Sequence, residues 1–327
     1  MSACFVVRGD CLCHLGRLDE AAAAYEENIR RAEKLDNDRL VAVGKGQLGT
    51  VRKNQRRYQE ALEAFEGARE RFMRLGELRN VAASWHQTGM VYQDAERPEA
   101  AEDAYRKSLA IAVQLGDLAG QASTLGQLGT LYGDHLGRTE EAMAFLRQAM
   151  HKYIEISDVA GEARLRNNLA IRLRKLGRLD EARQEIRRAI ECTERFGHTT
   201  EPWKSWAIIA GIETDAGNPT AAAEAKRKAI ERYLAYRRDG GENHSDDGRI
   251  CLAVTRPLLA DDLAAAVCFL QQLAADPDPL NQAQTFIQVL QAIVAGSRDR
   301  ALADAPDLHY TMAAEILFLI ETLEKPR

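Results

Sequence analysis

The sequence predicts an all-α solenoid. Six stacked helical hairpins occupy residues 1–238, a polar linker follows at 239–249, and a cap of three helices closes the chain over 250–327. Three observations predict this. A small residue precedes a tight corner at Gly9, Gly49, Gly89, Gly129, Ala170 and Ala210, with successive spacings of 40, 40, 40, 41 and 40. A second small residue recurs at a constant offset, at Ala21, Ala61, Ala101, Ala142, Ala182 and Ala222. Four residues after it stands a large one, Tyr25, Phe65, Tyr105, Leu146 and Ile186, with Lys226 the exception. A fixed period in this range marks stacked supersecondary units, none of which can bury its apolar face alone.

The third unit, residues 82–121, shows the logic of each hairpin. Ala82, Trp85, Gly89 and Tyr92 recur at helical spacing before the corner Glu96-Arg97-Pro98, and Ala101, Tyr105, Leu109 and Ala112 recur after it. Two helices of about a dozen residues are marginal alone in water, so neighbouring units must cover them. The small residue lets the helices approach to about 8 Å, and the partner's large side chain fills the hollow. The corners read GRLDEA, RRYQEA, ERPEAA, GRTEEA, GRLDEA and GNPTAA. Glycine there permits the positive φ that ends many helices. Pro98 and Pro219 suit the first helical position, and Asp19, Glu99, Glu140 and Asp180 suit the positive end of the helix dipole.

Trp85, Gly89, Tyr92, Ala101 and Tyr105 fall in the pattern of the tetratricopeptide repeat (TPR), which the region from about residue 2 to 238 resembles. The usual period is about 34 residues. The longer period here resembles the variety found in kinesin light chains and bacterial signalling ATPases. Segments such as RLGELRNVA and QLGDLAGQA carry the additional residues between units. The resemblance implies a right-handed superhelix whose first helices line a concave groove. Two departures stand out: the first unit starts almost at its first helix, and the sixth carries Glu213 and Lys226 where large apolar residues are usual.

The tail changes character. After the Gly-rich polar stretch DGGENHSDDGR, helices are expected near 252–275, 280–295 and 309–324. Ala283, Phe286, Ile287, Leu290, Ile293 and Val294 form one amphipathic stripe. Ile316 to Ile320 are apolar around most of a helix; they read as the inside of the tail bundle or as a self-association surface. A terminal repeat needs a cap. The tail supplies one at the back, whereas Phe5, Val6 and Val7 leave the front open. The chain is therefore expected to be the C-terminal part of a larger protein, or to pack its front on a partner.

Composition narrows the function. The net charge of −5 argues against a dedicated nucleic-acid binder. No apolar run approaches the roughly 20 residues that span a bilayer, and the N-terminus does not read as a signal peptide. Six cysteines, at 4, 11, 13, 192, 251 and 268, show neither disulfide density nor zinc spacing, so a cytoplasmic, reduced setting is expected. No phosphate loop, HExxH, nucleophile elbow or CxxC pair is present. Cys4, Cys11, Cys13 and His14 read as fillers rather than a metal site, and DHLGR and SRDRALAD lack the features of a calcium loop. No catalytic residue, metal or cofactor is expected.

The TPR resemblance places a peptide-binding groove on Lys53, Asn54, His86, Met90, Gln93, Asp94, Thr130, Asp134, Arg164, Asn167, Arg174, Lys175 and Lys204, with Asp215 beside them. The neighbouring position reads Gln47, Gln87, Gln127 and Asn168, a run of amides able to hold a peptide backbone or to bond across units. Residues 164–195 carry ten basic against five acidic side chains, and 250–327 five against ten. That imbalance reads either as internal complementarity or as a patch for an acidic peptide. The expected function is a non-enzymatic interaction scaffold for a protein or peptide, with no nucleic-acid or membrane partner. The alternative is the regulatory sensor portion of a larger bacterial signalling ATPase or protease.

Overall fold

In a computed structural model, residues 8–13, 15–243, 245–275 and 284–325 are described, the side chains of 194, 195, 199 and 275 excepted. Cys4, Phe5, Val6, Val7, His14 and Ala283 lie outside them. The described residues are helical or in turns, with no strand among them. The chain forms two compact units, residues 1–172 and 173–327.

The first unit holds α1 (residues 8–13), α2 (Leu18–Lys34), α3 (Asp38–Asn54), α4 (Tyr58–Arg74), α5 (Leu78–Asp94), α6 (Pro98–Gln114), α7 (Leu118–Asp134) and α8 (Thr139–Glu155). It ends within α9 (Val159–Lys175). Helices α2 to α9 are each 17 residues long. They are longer than the dozen or so expected, because the residues assigned to inter-unit inserts extend the helices instead. Two such helices and two three-residue turns make the 40-residue repeat. The turns close on left-handed residues: Gly16, Gly76, Gly116 and Gly137, but also Asp36, Arg56, Glu96 and Ser157. A glycine is thus favourable at these corners without being obligatory.

The crossings are where the sequence placed them. Ala21, Ala61, Ala101 and Ala142 are fully buried, and so, within 2%, are Tyr25, Phe65, Tyr105 and Leu146. A Cβ added to Gly9 would lie 2.5 Å from the Tyr25 ring; at Gly49 it would lie 2.9 Å from Phe65, and at Gly89 2.6 Å from Tyr105. At Gly129 it would lie 2.7 Å from Leu146 and 3.1 Å from the Ala142 carbonyl oxygen. Each glycine is therefore the hollow for the one large side chain of its own hairpin.

The second unit continues with α10 (Leu179–Thr193), a 3-10 turn (Glu194–Thr200), α11 (Pro202–Asp215) and α12 (Pro219–Arg238). The tail is α13 (Asp246–Leu259), α14 (Leu263–Ala275), α15 (Gln284–Val294), a 3-10 turn (Arg300–Asp304) and α16 (Tyr310–Glu324). The stretch expected as one helix over 252–275 is two. Pro257 sits in the last turn of α13, and Asp261 takes a positive φ of 58°, which breaks the helix before Asp262 accepts a bond from the Ala265 amide as a cap. The linker is correspondingly shorter, since α13 begins at Asp246.

The departures noted in the sixth hairpin find their reason here. Lys226 occupies the large-residue position but donates its ammonium to the Pro306 carbonyl at 3.3 Å, near Asp304 and Asp307. The adjoining α12 holds α16 by a buried carboxylate: Glu315 is 1% exposed and accepts from Tyr233 Oη at 3.1 Å and Asn243 Nδ2 at 3.0 Å, beside Arg237. Burial raises the Glu315 carboxyl above the usual range. Arg238 and Arg300 both bind Glu321. Ile316, Leu319 and Ile320 are buried in the tail core with Phe286 and Leu290, and Leu317 and Phe318 pack at its edge. The segment is apolar all round because α16 meets α12 on one side and α13 and α15 on the others. Of the two readings of Ile316–Ile320, the inside of the tail bundle is the one these contacts support.

Gly129→Ala is predicted to cost about 1–3 kcal/mol by overpacking, although alanine is the better helix former. Gly46→Ala, where an added Cβ meets nothing within 4 Å, is predicted to gain up to about 1 kcal/mol. Urea denaturation of the two variants checks the contrast.

Candidate functional site

The predicted groove residues of the first unit sit on the first helices of successive hairpins. On α5, His86 is largely buried: its Nδ1 lies 3.1 Å from Thr124 Oγ1 on α7 and its ring 5.6 Å from that of Tyr105. Burial, with the positive charge of Lys53 on α3, holds its imidazole down to about 4. Gln93 accepts from the Tyr105 hydroxyl at 3.0 Å, and Asp94 is exposed nearby. Met90 packs beside Tyr105 and Leu128. Lys53, His86, Met90, Gln93 and Asp94 thus gather about Tyr105, the side chain that fills the Gly89 hollow. Asn54 is exposed at the end of α3. Thr130 spends its hydroxyl on the Gly126 carbonyl of its own helix, at 3.2 Å.

The basic stretch is matched internally. Arg172, 8% exposed, grips both oxygens of Asp134, with Nη2 to Oδ2 at 2.6 Å, and lies over Gly133. Arg166 binds Glu162 at 2.7 Å, and Arg164 donates to the Tyr153 hydroxyl at 3.1 Å. In the second unit, Arg174 forks onto Asp215 at 2.6 and 3.0 Å, and Arg183 onto Glu213 at 2.7 and 3.0 Å. Lys204 pairs with Glu201 at 2.5 Å, and Lys175 is exposed. These partners lie on the same helix or in adjoining repeats rather than in the acidic tail, whose Glu315 and Glu321 are taken by α12. Asn167 is half-buried and has a partner of its own.

A series of amides accompanies them. Gln47, Gln87 and Gln127 recur every 40 residues on α3, α5 and α7, each half-buried. The Gln87 Oε1 atom is buried with no hydrogen-bond partner. Gly46 and Gly126 precede Gln47 and Gln127, whereas His86 stands at that position before Gln87; an added Cβ would meet nothing within 4 Å at Gly46 and the Leu165 side chain at 3.3 Å at Gly126. Cavities missed by the sequence reading open elsewhere, between second helices of adjacent hairpins. One of about 440 Å³ between α2 and α4 is floored by Lys45, Leu48 and Arg52. One of about 250 Å³ between α4 and α6 is floored by Trp85, Thr88 and Tyr92. One of about 340 Å³ between α10 and α12 is floored by Trp206, Ile209 and Glu213. The only advance signal was the tryptophan at the fourth position of two units.

Among the described residues no group of three His, Cys, Asp or Glu is placed to hold a metal, and no helix is long and apolar enough to cross a membrane.

Hairpins of paired helices that bury a small residue against a large one, repeated in register, define a helical-repeat solenoid. Tetratricopeptide repeat profiles match residues 40–112, 80–155 and 163–195, so these residues carry tetratricopeptide repeats. No curated protein matches the sequence. Among solved structures, BtubC (BKLC) from P. vanneervenii aligns with a TM-score of 0.61 at 16% identity, over 67% of this chain and 92% of that one. A kinesin-light-chain-like protein of Podospora anserina, built of nearly identical TPR-like repeats, aligns with a TM-score of 0.50 at 17% identity, over 59% and 95%. A Rap protein in complex with Competence and Sporulation Factor aligns with a TM-score of 0.55 at 14% identity, over 89% and 75%. At these identities the likeness is one of fold.

The depressed His86 pKa gives a signed prediction. The folded chain refuses a proton that the unfolded chain accepts near 6.5, so this contribution is complete above that value. It is lost as pH falls toward about 4. The loss reaches roughly 3 kcal/mol at most. His86→Gln is predicted to flatten the decline of the urea midpoint over that window, while the wild type steepens.

Proposed function

We propose that this chain is a non-enzymatic protein-interaction module that holds an extended peptide segment of a partner along the first helices of its hairpins. The observation that carries the reading is the amide series Gln47, Gln87 and Gln127, with the Gln87 carbonyl oxygen buried and unpartnered. Buried polar atoms are nearly always satisfied, and an extended backbone offers donors and acceptors at intervals that side-chain amides can meet. Gly46 beside Gln47, where an added Cβ would meet nothing within 4 Å, leaves room for that backbone. Because Arg172 and Arg174 are already forked onto aspartates, recognition rests on backbone contacts more than on an acidic sequence. A groove formed in advance keeps the ordering cost of binding low.

The tetratricopeptide repeats support a protein or peptide partner, as does the likeness to a Rap protein complexed with Competence and Sporulation Factor. The described cysteines are free, which suits a reducing, cytoplasmic setting. The first-unit residues that the sequence places in the groove, from Lys53 and Asn54 to Arg164 and Asn167, then serve as its rim.

Peptides selected from a displayed random library against the intact chain test this. Replacing Gln47, Gln87 and Gln127 together by Ala is predicted to weaken the selected peptides by roughly a hundredfold, at about 1 kcal/mol per lost hydrogen bond. The helical circular dichroism is expected to stay unchanged. Selected peptides that bind the triple variant as well as the wild type would contradict the proposal.

A further inference from the structure

The cavity between α10 and α12 has a counterpart in the third hairpin, and the comparison shows what the later one lacks. Lys228 Nζ lies 4.5 Å from the Trp206 ring centroid, and Lys107 Nζ lies 4.5 Å from that of Trp85. The two pairs occupy the same repeat positions. In both, a carboxylate one turn earlier holds the lysine, Glu224 at 3.2 Å and Asp103 at 2.6 Å. The difference is a second cation. Arg69 of α4 lays its guanidinium over Trp85 at 3.8 Å from the centroid, with its side chain only 12% exposed. The residue in register in α10 is Ile190, which has no charge and lines an open space of about 340 Å³ beside Trp206.

The lining of that space is suited to the missing group. The ion-pair partner of Arg69 is Glu66, whose counterpart in register is Arg187, while Glu70, which also acts on Arg69, has Glu191 in register; Glu191 lines the cavity, and no ion pair to it is present among the described residues. Glu213 is committed to Arg183 at 2.7 Å, and the other rim cation, Arg187, acts on Glu213. Ile190, Ile209 and Ala225 offer apolar surface for an aliphatic stem. On α11, Trp206, Ile209 and Glu213 share one stripe, while Lys204, Gly211 and Asp215 lie on the opposite one. The cavity is thus separate from the groove of the preceding section.

We propose that this cavity receives an arginine side chain of a partner protein, its guanidinium on the Trp206 face and paired with Glu191. It would supply in trans what Arg69 supplies to Trp85 within the chain. An indole face attracts a cation, most strongly once both are desolvated, and arginine keeps its charge and planar fork in such a setting. Its stem packs while its head pairs.

The probe is N-acetyl-arginine amide titrated into the full chain carrying 15N-labelled indoles. The Trp85, Trp203 and Trp206 signals are assigned with single Trp→Phe variants. A saturable shift of the Trp206 signal is expected in the millimolar range, with Trp85 unmoved because Arg69 covers it. Glu191→Gln is expected to weaken the response about fivefold or more, with unchanged helical circular dichroism. The neutral citrulline analogue is expected to leave Trp206 still. An equal response to citrulline, indifference to Glu191→Gln, or no saturable movement of Trp206 into the tens of millimolar would overturn the assignment. The triple glutamine variant is expected to respond like the wild type, so failure of the groove reading and failure of this one are distinguishable.

Discussion

A large side chain seated on a glycine is the contact from which the rest of the first unit follows. Tyr25 on Gly9, Phe65 on Gly49, Tyr105 on Gly89 and Leu146 on Gly129 fix how closely the two helices of each hairpin approach. Close approach at one point sets which residues of each helix turn toward the next hairpin. The neighbours must then repeat the same register to cover them. Seventeen-residue helices and three-residue turns are the lengths that return the chain to the same crossing.

Polar contacts follow the repeat rather than competing with it. Arg39 with Glu77, Arg79 with Asp117, and Arg172 with Asp134 all join residues about one repeat apart. So does His86 with Thr124. Exposed pairs of this kind contribute at most about 1 kcal/mol each, so they tune the seams between hairpins that packing has already made. Pairing occupies Arg172, Arg174 and Arg183, while Gln47, Gln87 and Gln127 on α3, α5 and α7 stay half-buried, the Gln87 Oε1 atom without a hydrogen-bond partner. At the sixth hairpin the pattern is turned to another use: Lys226 and Glu213 replace apolar residues, one reaching the tail and the other holding Arg183.

The hairpins and their crossings were legible because they depend on residue size at fixed spacing, which a single sequence displays. Gly89 and Tyr105 could be paired before any coordinate was known. Helix length was not legible, since the glycine in RLGELRNVA marks a break without showing that the helices run up to it on both sides, from Arg74 at the end of α4 to Leu78 at the start of α5. The break in the tail at Asp261 depends on a non-glycine in a left-handed conformation, which composition does not announce. Charge was the least legible feature. Ten basic residues over 164–195 looked like a patch, but Asp134 and Asp215, the partners of Arg172 and Arg174, lie outside that window and come alongside only through the repeat. The cavity at Trp206 was invisible for the same reason, because its walls come from three helices.

The seating of Tyr105 on Gly89 is the point to measure, by a double-mutant cycle of Gly89→Ala and Tyr105→Ala in urea. With tyrosine present, alanine at 89 is predicted to destabilise the chain by about 1–3 kcal/mol. With the ring removed the hollow is empty, and the same change is predicted to become neutral or to stabilise by up to about 1 kcal/mol through helix propensity alone. Equal effects of Gly89→Ala in the two backgrounds would mean that the two residues do not constrain each other, and would contradict the account of how these hairpins are built.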